Sequence, residues 1–583
     1  MADIAAPYRR WYGSAMHFLR LVAAMILAAA AAGAVWWYAD RPVPVAAEYT
    51  QPFSSMSFAA YRRGESPLTS VYPTPSEVEQ DMQVLVGRTK GIRTYTAREG
   101  LEHLPELAEK YGIRMTLGIW LGRDKDINEK ELAAGIQEAN EHPEAVQRLM
   151  VGNEVLLRGD LTPDELIGYI RRVKQAVKQP VSTAEVWSFV LRYPQVGREL
   201  DYVSIHILPF WDDEPVSIDL AEQHLVDIVK QTHEAFPGKP LLIAETCWPS
   251  IGRNRGPARV TVLNEADYIR RVATLAARLD FDYNILEAFD QPWKSALENT
   301  VGGAWGVMEA DRNHGKGVEK FPMKGPVTEV ADWLTRAGWA IAIGAVATLL
   351  FARALPGFTA MLGFALAAQA LSWLLITGIF HDHEVTFRPW QYYWMILRAG
   401  LPVLLFGAML ARLKDWLAGD DSDASRLWMG RFLMPVTAAY AIAWSLLLLF
   451  DGRYRDIPEF DFALPVGGLL VMAAIRLTLA RQPGESLRGA LAIGEFFPGA
   501  YRGGVIRALG WLMLAMVPLS LVGEAWALAI ARDFLIAHPD FADRVPHILN
   551  ALVWNREMDL WAAMQLLWAV PFLLQNRSSN RNE

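Results

Sequence analysis

VQRLMVGNE, residues 146–154, is a short apolar run that gives way abruptly to an asparagine and a glutamate. Its length and β-branched content mark it as a buried strand with a polar end. The same form recurs on either side of it. SMSFAAY (55–61), GIRTY (91–95) and IRMTLGIWL (113–121) come before, and VSTAEVW (181–187), YVSIHIL (202–208), PLLIAET (240–246) and YNILEAFD (283–290) come after. Amphipathic stretches such as NEKELAAGIQEANEH (128–142) and TPDELIGYIRRVKQAV (162–177) separate them, the second opening on a Thr-Pro-Asp-Glu helix start. Strands alternating with helices predict parallel βα units. Eight units between residues 41 and 336 match an α/β chain with a (β/α)8 TIM barrel, a fold of ~250 residues. The alternative is an open doubly wound sheet. It usually carries a Gly-rich phosphate loop, and neither G-x-G-x-x-G nor a Walker A sequence is present.

Outside this region the composition changes. The chain has 583 residues and is 52% hydrophobic, which excludes a disordered polymer. Residues 337–583 are a series of long apolar runs with one lysine, Lys414. A net charge of −8 leaves no basic surface for nucleic acid. The single cysteine, Cys247, excludes an internal disulfide and any multi-cysteine metal site.

A helix needs ~20 apolar residues to cross a bilayer. The first candidate is 19–38, preceded by Arg9, Arg10 and Arg20 and ending in Trp36, Trp37 and Tyr38 at an interfacial position. Its apolar run is long for a signal peptide, the competing reading. Seven further spans are expected near 337–353, 357–380, 390–411, 432–450, 462–480, 508–530 and 558–575. With the N-terminus inside, fourteen arginines and lysines fall on cytoplasmic segments and six on short opposite-side loops, which satisfies the positive-inside rule. The expected organisation is a cytoplasmic N-terminus (1–18), a transmembrane anchor (19–38), an external barrel (41–336), an all-α polytopic domain of seven helices (337–575) and a cytoplasmic tail (576–583). A bacterial inner membrane with a periplasmic barrel fits this layout, with the lipid bilayer as one partner.

A barrel of this kind collects its chemistry at the C-terminal ends of its strands. Arg93 and Tyr95 end the second candidate strand, and Asn153 and Glu154 end the fourth. His206 lies on the sixth, Glu245 ends the seventh, and Glu287 and Asp290 close the eighth. Glu154 and Glu245 are 91 residues apart, three βα units at ~30 residues each. Two carboxylates on one rim are the apparatus of glycoside cleavage: one protonates the leaving oxygen while the other attacks the anomeric carbon or activates water.

Five motifs in order, AAYRRG (59–64), GIRTY (91–95), VGNEV (151–155), AETCWPS (244–250) and EAFDQPWK (287–294), resemble glycoside hydrolase family 17, the β-1,3-glucanase family. The resemblance covers about half the chain. It implies Glu154 as general acid/base, Glu245 as nucleophile, Asn153 at the sugar 2-hydroxyl and Arg93 orienting the nucleophile. Tyr61, Tyr95, Trp248 and Trp293 are candidate subsite walls, a reading that Trp120 and Trp187 share with Trp211. For each of these aromatic residues the core is the alternative. His206, Glu287, Asp290 and Lys294 complete the expected cleft. The sequence departs from the plant and fungal pattern at Cys247, where glycine is common, and in SIHILPFW, which puts His206 in the place of a tyrosine. No metal or organic cofactor is implied, because carboxylates fill both chemical roles.

Membrane-anchored bacterial proteins of similar architecture are associated with building periplasmic β-1,3/β-1,6 glucans. The expected function is therefore a retaining β-1,3-glucan transglycosylase. A β-1,3-glucan hydrolase and a non-catalytic glucan-binding or export component are the alternatives. A further reading places a separate membrane glucan synthase beside the helices. Within the apolar half, Arg398 and Glu524 fall at similar depth and are expected to face each other. HDHE (381–384) reads as a hydrated outer turn rather than a metal cluster. DDSD (420–423) lies in a loop too short to house a nucleotide-sugar domain, and no Q-x-x-R-W follows.

Overall fold

Eight short parallel strands pair in sequence order and close on one another: β1 (Met56–Ser57), β2 (Gly91–Arg93), β3 (Arg114–Ile119), β4 (Val146–Asn153), β5 (Val181–Val186), β6 (Val203–His206), β7 (Leu241–Thr246) and β8 (Asp282–Ile285). The computed structural model describes the chain apart from residues 1–5, 47, 313–316, 387, 420–431, 451–454, 481–502 and 575–583. Each strand overlaps its expected segment, and the (β/α)8 barrel is the fold. Strand bodies such as Ile92, Leu117, Leu149, Ile205, Ile243 and Ile285 are buried in one apolar core with the helices around them, as strands covered on both faces require. The helices Pro75–Leu85 and Pro163–Ala176 both begin at a threonine whose hydroxyl accepts the N–H of a glutamate three residues on. That glutamate, Glu77 or Glu165, reaches back to the threonine N–H, so two otherwise orphaned donors are satisfied.

The described residues divide into two compact units. One comprises the barrel, Pro42–Ala331, together with Leu528–Asn555. That second segment departs from the sequence reading, which gave all of 337–575 to the helical domain. It carries two helices, Arg532–Ala537 and Phe541–Trp554. The segment belongs with the barrel because Ile536 packs on the barrel's apolar core and its carbonyl accepts a 3.0 Å hydrogen bond from Arg192.

The other unit is helical. Among the described residues, five helices are long and apolar enough to cross a membrane: Ala15–Ala39, Trp333–Ala354, Phe358–Glu384, Trp390–Ala418 and Gly504–Ala529. The remaining expected spans correspond to the shorter helices Met434–Phe450, Ala463–Thr478 and Arg556–Leu573. Arg398 does not meet Glu524 as its principal partner. It makes an ion pair with Asp382 and another with Asp461 at 3.2 Å, and it donates to the Tyr440 hydroxyl. A small cleft beside this group is lined by Asp382, Arg398, Tyr440 and Asp461. HDHE is likewise not a hydrated turn but the last turn of Phe358–Glu384. Asp382 is buried against Arg398, His381 stacks on Phe460 at 4.4 Å and Glu384 pairs with Arg336. The run DDSD and Arg426, Arg431, Arg453, Arg481, Arg488, Arg502, Arg577 and Arg581 lie outside the described residues.

Candidate active site

The local sequence around Glu154 sets its direction. Pairing between β4 and β5 shifts register between Met150 and Asn153. Gly152 turns there through φ 84°, and a Cβ at that position would come within 2.6 Å of a Val155 methyl. Glu154 follows with φ 52°, capping the short helix Val155–Arg158. A left-handed residue with a Cβ costs ~1–2 kcal/mol. It is held in place because its N–H donates to the Ala184 carbonyl at 2.7 Å, while Glu185 accepts from Leu156 N at 2.7 Å and Leu157 N at 3.4 Å. Burial pushes the Glu185 carboxyl up to about 8 despite those donors.

Glu245 projects from β7. Arg93, almost fully buried, donates from Nη1 to Glu245 Oε1 at 2.7 Å and to the Ala244 carbonyl at 3.0 Å, while Nη2 donates to Asn153 Oδ1. His206 stands between the two glutamates, with Nδ1 2.8 Å from Glu154 Oε1 and Nε2 3.5 Å from Glu245 Oε1. Glu154, His206 and Glu245 offer atoms that all lie within 4.8 Å of one another. These three are also the residues at the rim that could hold a cation, but the Arg93 guanidinium already supplies positive charge to the same Glu245 oxygen. Burial alone would raise the Glu245 carboxyl. The charges of His206 and Arg93, with the Arg93 hydrogen bond, outweigh it and hold the group below its ordinary value. Glu154 is the more open of the pair, its side chain 25% exposed against 7% for Glu245.

Tyr95 leans over the site under the Arg93 guanidinium, 4.8 Å away, and donates its hydroxyl to Ser57 Oγ at 3.2 Å. Gly118 permits this approach, because a Cβ there would strike the Thr94 carbonyl at 2.3 Å and the Tyr95 backbone at 2.6 Å. β8 ends at Ile285, so Glu287 and Asp290 lie in the loop beyond it rather than on the strand. Lys294 Nζ reaches Glu287 at 2.9 Å and lies 5.5 Å from the Tyr95 ring. Burial pushes the Glu287 carboxyl up to about 7, against the Lys294 charge. Trp293 is half-buried, edge-on to Tyr61 at 5.8 Å, and the Tyr61 hydroxyl faces Glu99.

One expected cleft residue lies elsewhere. Trp248 is wholly buried, packs on Phe210 and Tyr268 and donates its indole N–H to the Arg259 carbonyl, so it is core and not a subsite wall. Asp290 is engaged by Lys320 at 3.0 Å and by Gly306 N at 2.8 Å, and Lys320 also pairs with the buried Glu265. Asp290, partly exposed, thus joins an ion-pair network with Lys320 and Glu265. Among the other aromatics, Trp120 lies under Arg158, Trp187 donates toward Asp212 and Trp211 packs on Trp305 and Phe210. Cys247 is buried, with its Sγ 3.4 Å from the Trp305 carbonyl.

Sequence reasoning missed Glu298. It lies in the helix Ser295–Gly302, and burial pushes its carboxyl up to about 7, opposed by Lys294 and reinforced by the charges of Glu154, Glu245 and Glu287. Its i,i+4 spacing from Lys294 was the available signal.

Residues 55–306 match the BtgE/BtgC glycoside hydrolase domain. The glucan 1,3-beta-glucosidase BGL2 of Candida albicans is 27% identical over 262 residues, 41% of this chain and 84% of that protein. A glucan 1,3-beta-glucosidase of Schizosaccharomyces pombe is 27% identical over 296 residues, covering 47% of this chain and 90% of the relative. Among solved structures, the glycoside hydrolase family 17 β-1,3-glucanosyltransferase of Rhizomucor miehei is 30% identical. The match covers 45% of this chain and 94% of that one, with a TM-score of 0.40.

Proposed function

This chain belongs to the glycoside hydrolase family 17-like β-1,3-glucanases, and from that premise we propose that its barrel transfers glucosyl units between β-1,3-glucan chains through a covalent intermediate on Glu245. The observation that carries the covalent intermediate is the separation of the two carboxylates. An oxygen of Glu154 and one of Glu245 lie within 4.8 Å, close to the ~5–5.5 Å of retaining enzymes and well short of the ~6.5–9.5 Å that leaves room for an inverting water.

In the first half-reaction Glu154, protonated, gives its proton to the glycosidic oxygen as that bond breaks. Glu245, ionised and held by Arg93, forms the new bond to the anomeric carbon. The leaving chain departs with the proton. In the second half, Glu154 takes a proton from an acceptor hydroxyl, whose oxygen displaces Glu245 and restores the original configuration. Arg93 and His206 act as positioning residues. Arg93 fixes both Glu245 and Asn153, and Asn153 is in turn placed for the sugar 2-hydroxyl, where hydrogen bonds strengthen in the transition state. Hydrolysis and transfer share the intermediate on Glu245, and the acceptor that resolves it, water or a sugar hydroxyl, separates them.

The barrel is read as periplasmic, anchored by the N-terminal helix and followed by a polytopic membrane domain of an inner membrane. Five long apolar helices and the distribution of arginine and lysine support that placement. Its role would be building or remodelling periplasmic β-(1,3)/(1,6)-glucan, beside a separate synthase. The test is mass spectrometry of products from an end-labelled β-1,3-gluco-oligosaccharide. Products longer than the substrate, absent with Glu245→Gln, are expected. Only shorter products would make the chain a hydrolase, and no turnover across several β-glucans would return it to a glucan-binding or export component.

A further inference from the structure

A second group of metal-ligating side chains lies outside the catalytic set. Glu214 is in the loop between β6 and the helix Ile218–Ala235. His538 caps the C-terminus of Arg532–Ala537, and His547 lies on Phe541–Trp554. All three belong to the unit that contains the barrel. The two imidazole rings lie 4.1 Å apart, centre to centre, and both present a nitrogen to the same oxygen, Glu214 Oε1. For His538 that nitrogen is Nε2, at 3.4 Å, and for His547 it is Nδ1.

The opposite nitrogens face a second carboxylate. Asp543 Oδ2 lies 2.9 Å from His538 Nδ1, and Asp543 Oδ1 lies 4.0 Å from His547 Nε2. The loop is held independently of these groups: Arg544 donates to the His538 carbonyl at 2.7 Å, and Arg192 donates to the Ile536 carbonyl at 3.0 Å. Phe534, fully buried, forms an apolar floor 5.0 Å from the His538 ring.

Both histidines thus turn one nitrogen to the same Glu214 oxygen, and His538 turns its other nitrogen into a hydrogen bond with Asp543, which lies at longer range from His547. Metal-ligating histidines adopt this arrangement, in which the outer carboxylate fixes the tautomer and the ring orientation. Two carboxylates and two imidazoles also balance a dication. A tetrahedral ion bound at ~2.0–2.2 Å holds its ligand atoms roughly 3.3–3.5 Å apart; the His538–Glu214 separation is 3.4 Å, whereas His547 Nδ1 touches the same oxygen directly and has to draw back to admit the ion. The three offered atoms lie within 4.8 Å of one another.

We propose that Glu214, His538 and His547 form a divalent-cation site suited to zinc, with Asp543 as its outer-shell carboxylate and a fourth position left to water. The ion would join the barrel loop that carries Glu214 to the helical pair that carries the histidines, tying together two segments far apart in the chain. This site is independent of the glycoside chemistry.

The full chain, purified in detergent and stripped with a chelator, is titrated with zinc chloride. After desalting, the wild type is expected to retain one more zinc per chain than the His538→Gln/His547→Gln variant. Asp543→Asn is expected to weaken binding ~10–100-fold. Two measurements need no variant. Cobalt(II) added to the stripped wild type should produce a tetrahedral d–d absorption, and zinc should slow amide exchange along Phe541–Trp554. Equal zinc retention by wild type and double variant, or a wild type with neither the cobalt absorption nor the exchange protection, would overturn the proposal.

Discussion

Charged groups are buried in both units of this chain, but they are satisfied differently. On the barrel rim they form a connected series: Asn153 to Arg93, Arg93 to Glu245, Glu245 to His206 and His206 to Glu154. Oxygen and nitrogen groups alternate along it, and it ends on a carboxylate that remains a quarter exposed. In the helical unit, Arg398 takes two aspartates and a tyrosine, and the group closes on itself. A closed buried pair is costly to break but adds little net stability. An open series with one accessible end can pass a proton to a substrate. Burial of charge alone therefore does not mark a reactive site; the accessible terminus does.

The sharpest break in that comparison comes from the rim. Glu245→Gln is expected to lower kcat/KM by more than ~10⁴-fold, and Glu154→Gln by ~10²–10⁴-fold, with the fold retained by circular dichroism. A residual rate in Glu245→Gln equal to that of Glu154→Gln would mean that the two carboxylates do not have distinct roles. Removing the cations tests both units at once. Arg93→Leu and Arg398→Leu each leave buried carboxylates unpaired, and each is expected to cost ~3–5 kcal/mol in thermal unfolding. Only Arg93→Leu should also abolish turnover by the protein that remains folded. A matching loss of specific activity in Arg398→Leu would erase the distinction between the two groups.

The pH dependence has two parts of opposite sign. Glu245 is depressed below its ordinary 4.5, so its contribution to stability is complete above pH 4.5 and is lost as pH falls through the native value. The acid limb of kcat/KM should accordingly lie below pH 4.5 in the wild type and move upward in Arg93→Gln. Glu287 is raised from 4.5 to about 7, so the native state keeps a proton that the unfolded chain has released. Its contribution to stability is lost as pH rises from 4.5 through 7. Thermal unfolding of Glu287→Gln should lose that part of the pH slope. The smallest effect belongs to Trp248→Phe, which is expected to cost ~1–3 kcal/mol of stability and leave KM unchanged, whereas Trp293→Ala should raise KM. A raised KM in Trp248→Phe would return Trp248 to the cleft.

Most of the barrel was legible in the sequence because strand periodicity and barrel closure jointly determine where strand ends meet. Arg93, Asn153, His206 and Glu245 fell together for that reason, although they are scattered along the chain. Asp290 lies past the end of β8 at Ile285, in the loop that also carries Glu287, and its pairing with Lys320 was not readable from the strand pattern. Trp248 was misplaced because side-chain alternation breaks down just past the end of β7. In the helical unit, span lengths were readable but contacts between helices were not. Which residue meets Arg398 depends on the rotation and packing of separate helices, and the partners came from Asp382 and Asp461 near helix ends. The segment Leu528–Asn555 was overlooked for a related reason: its flanking apolar runs suggested a plain connection, whereas two short helices bind the barrel unit.

The most direct test of the account is trapping the intermediate. A 2-deoxy-2-fluoro-β-laminaribiosyl fluoride slows the second half-reaction, and intact-protein mass spectrometry reads what stays attached. The account predicts a gain of one fluorinated disaccharide per chain, located to the peptide that contains Glu245 and absent from Glu245→Gln. Attachment at Glu154, or steady turnover of a β-1,3-glucan with inversion at the anomeric carbon and no adduct, would contradict it.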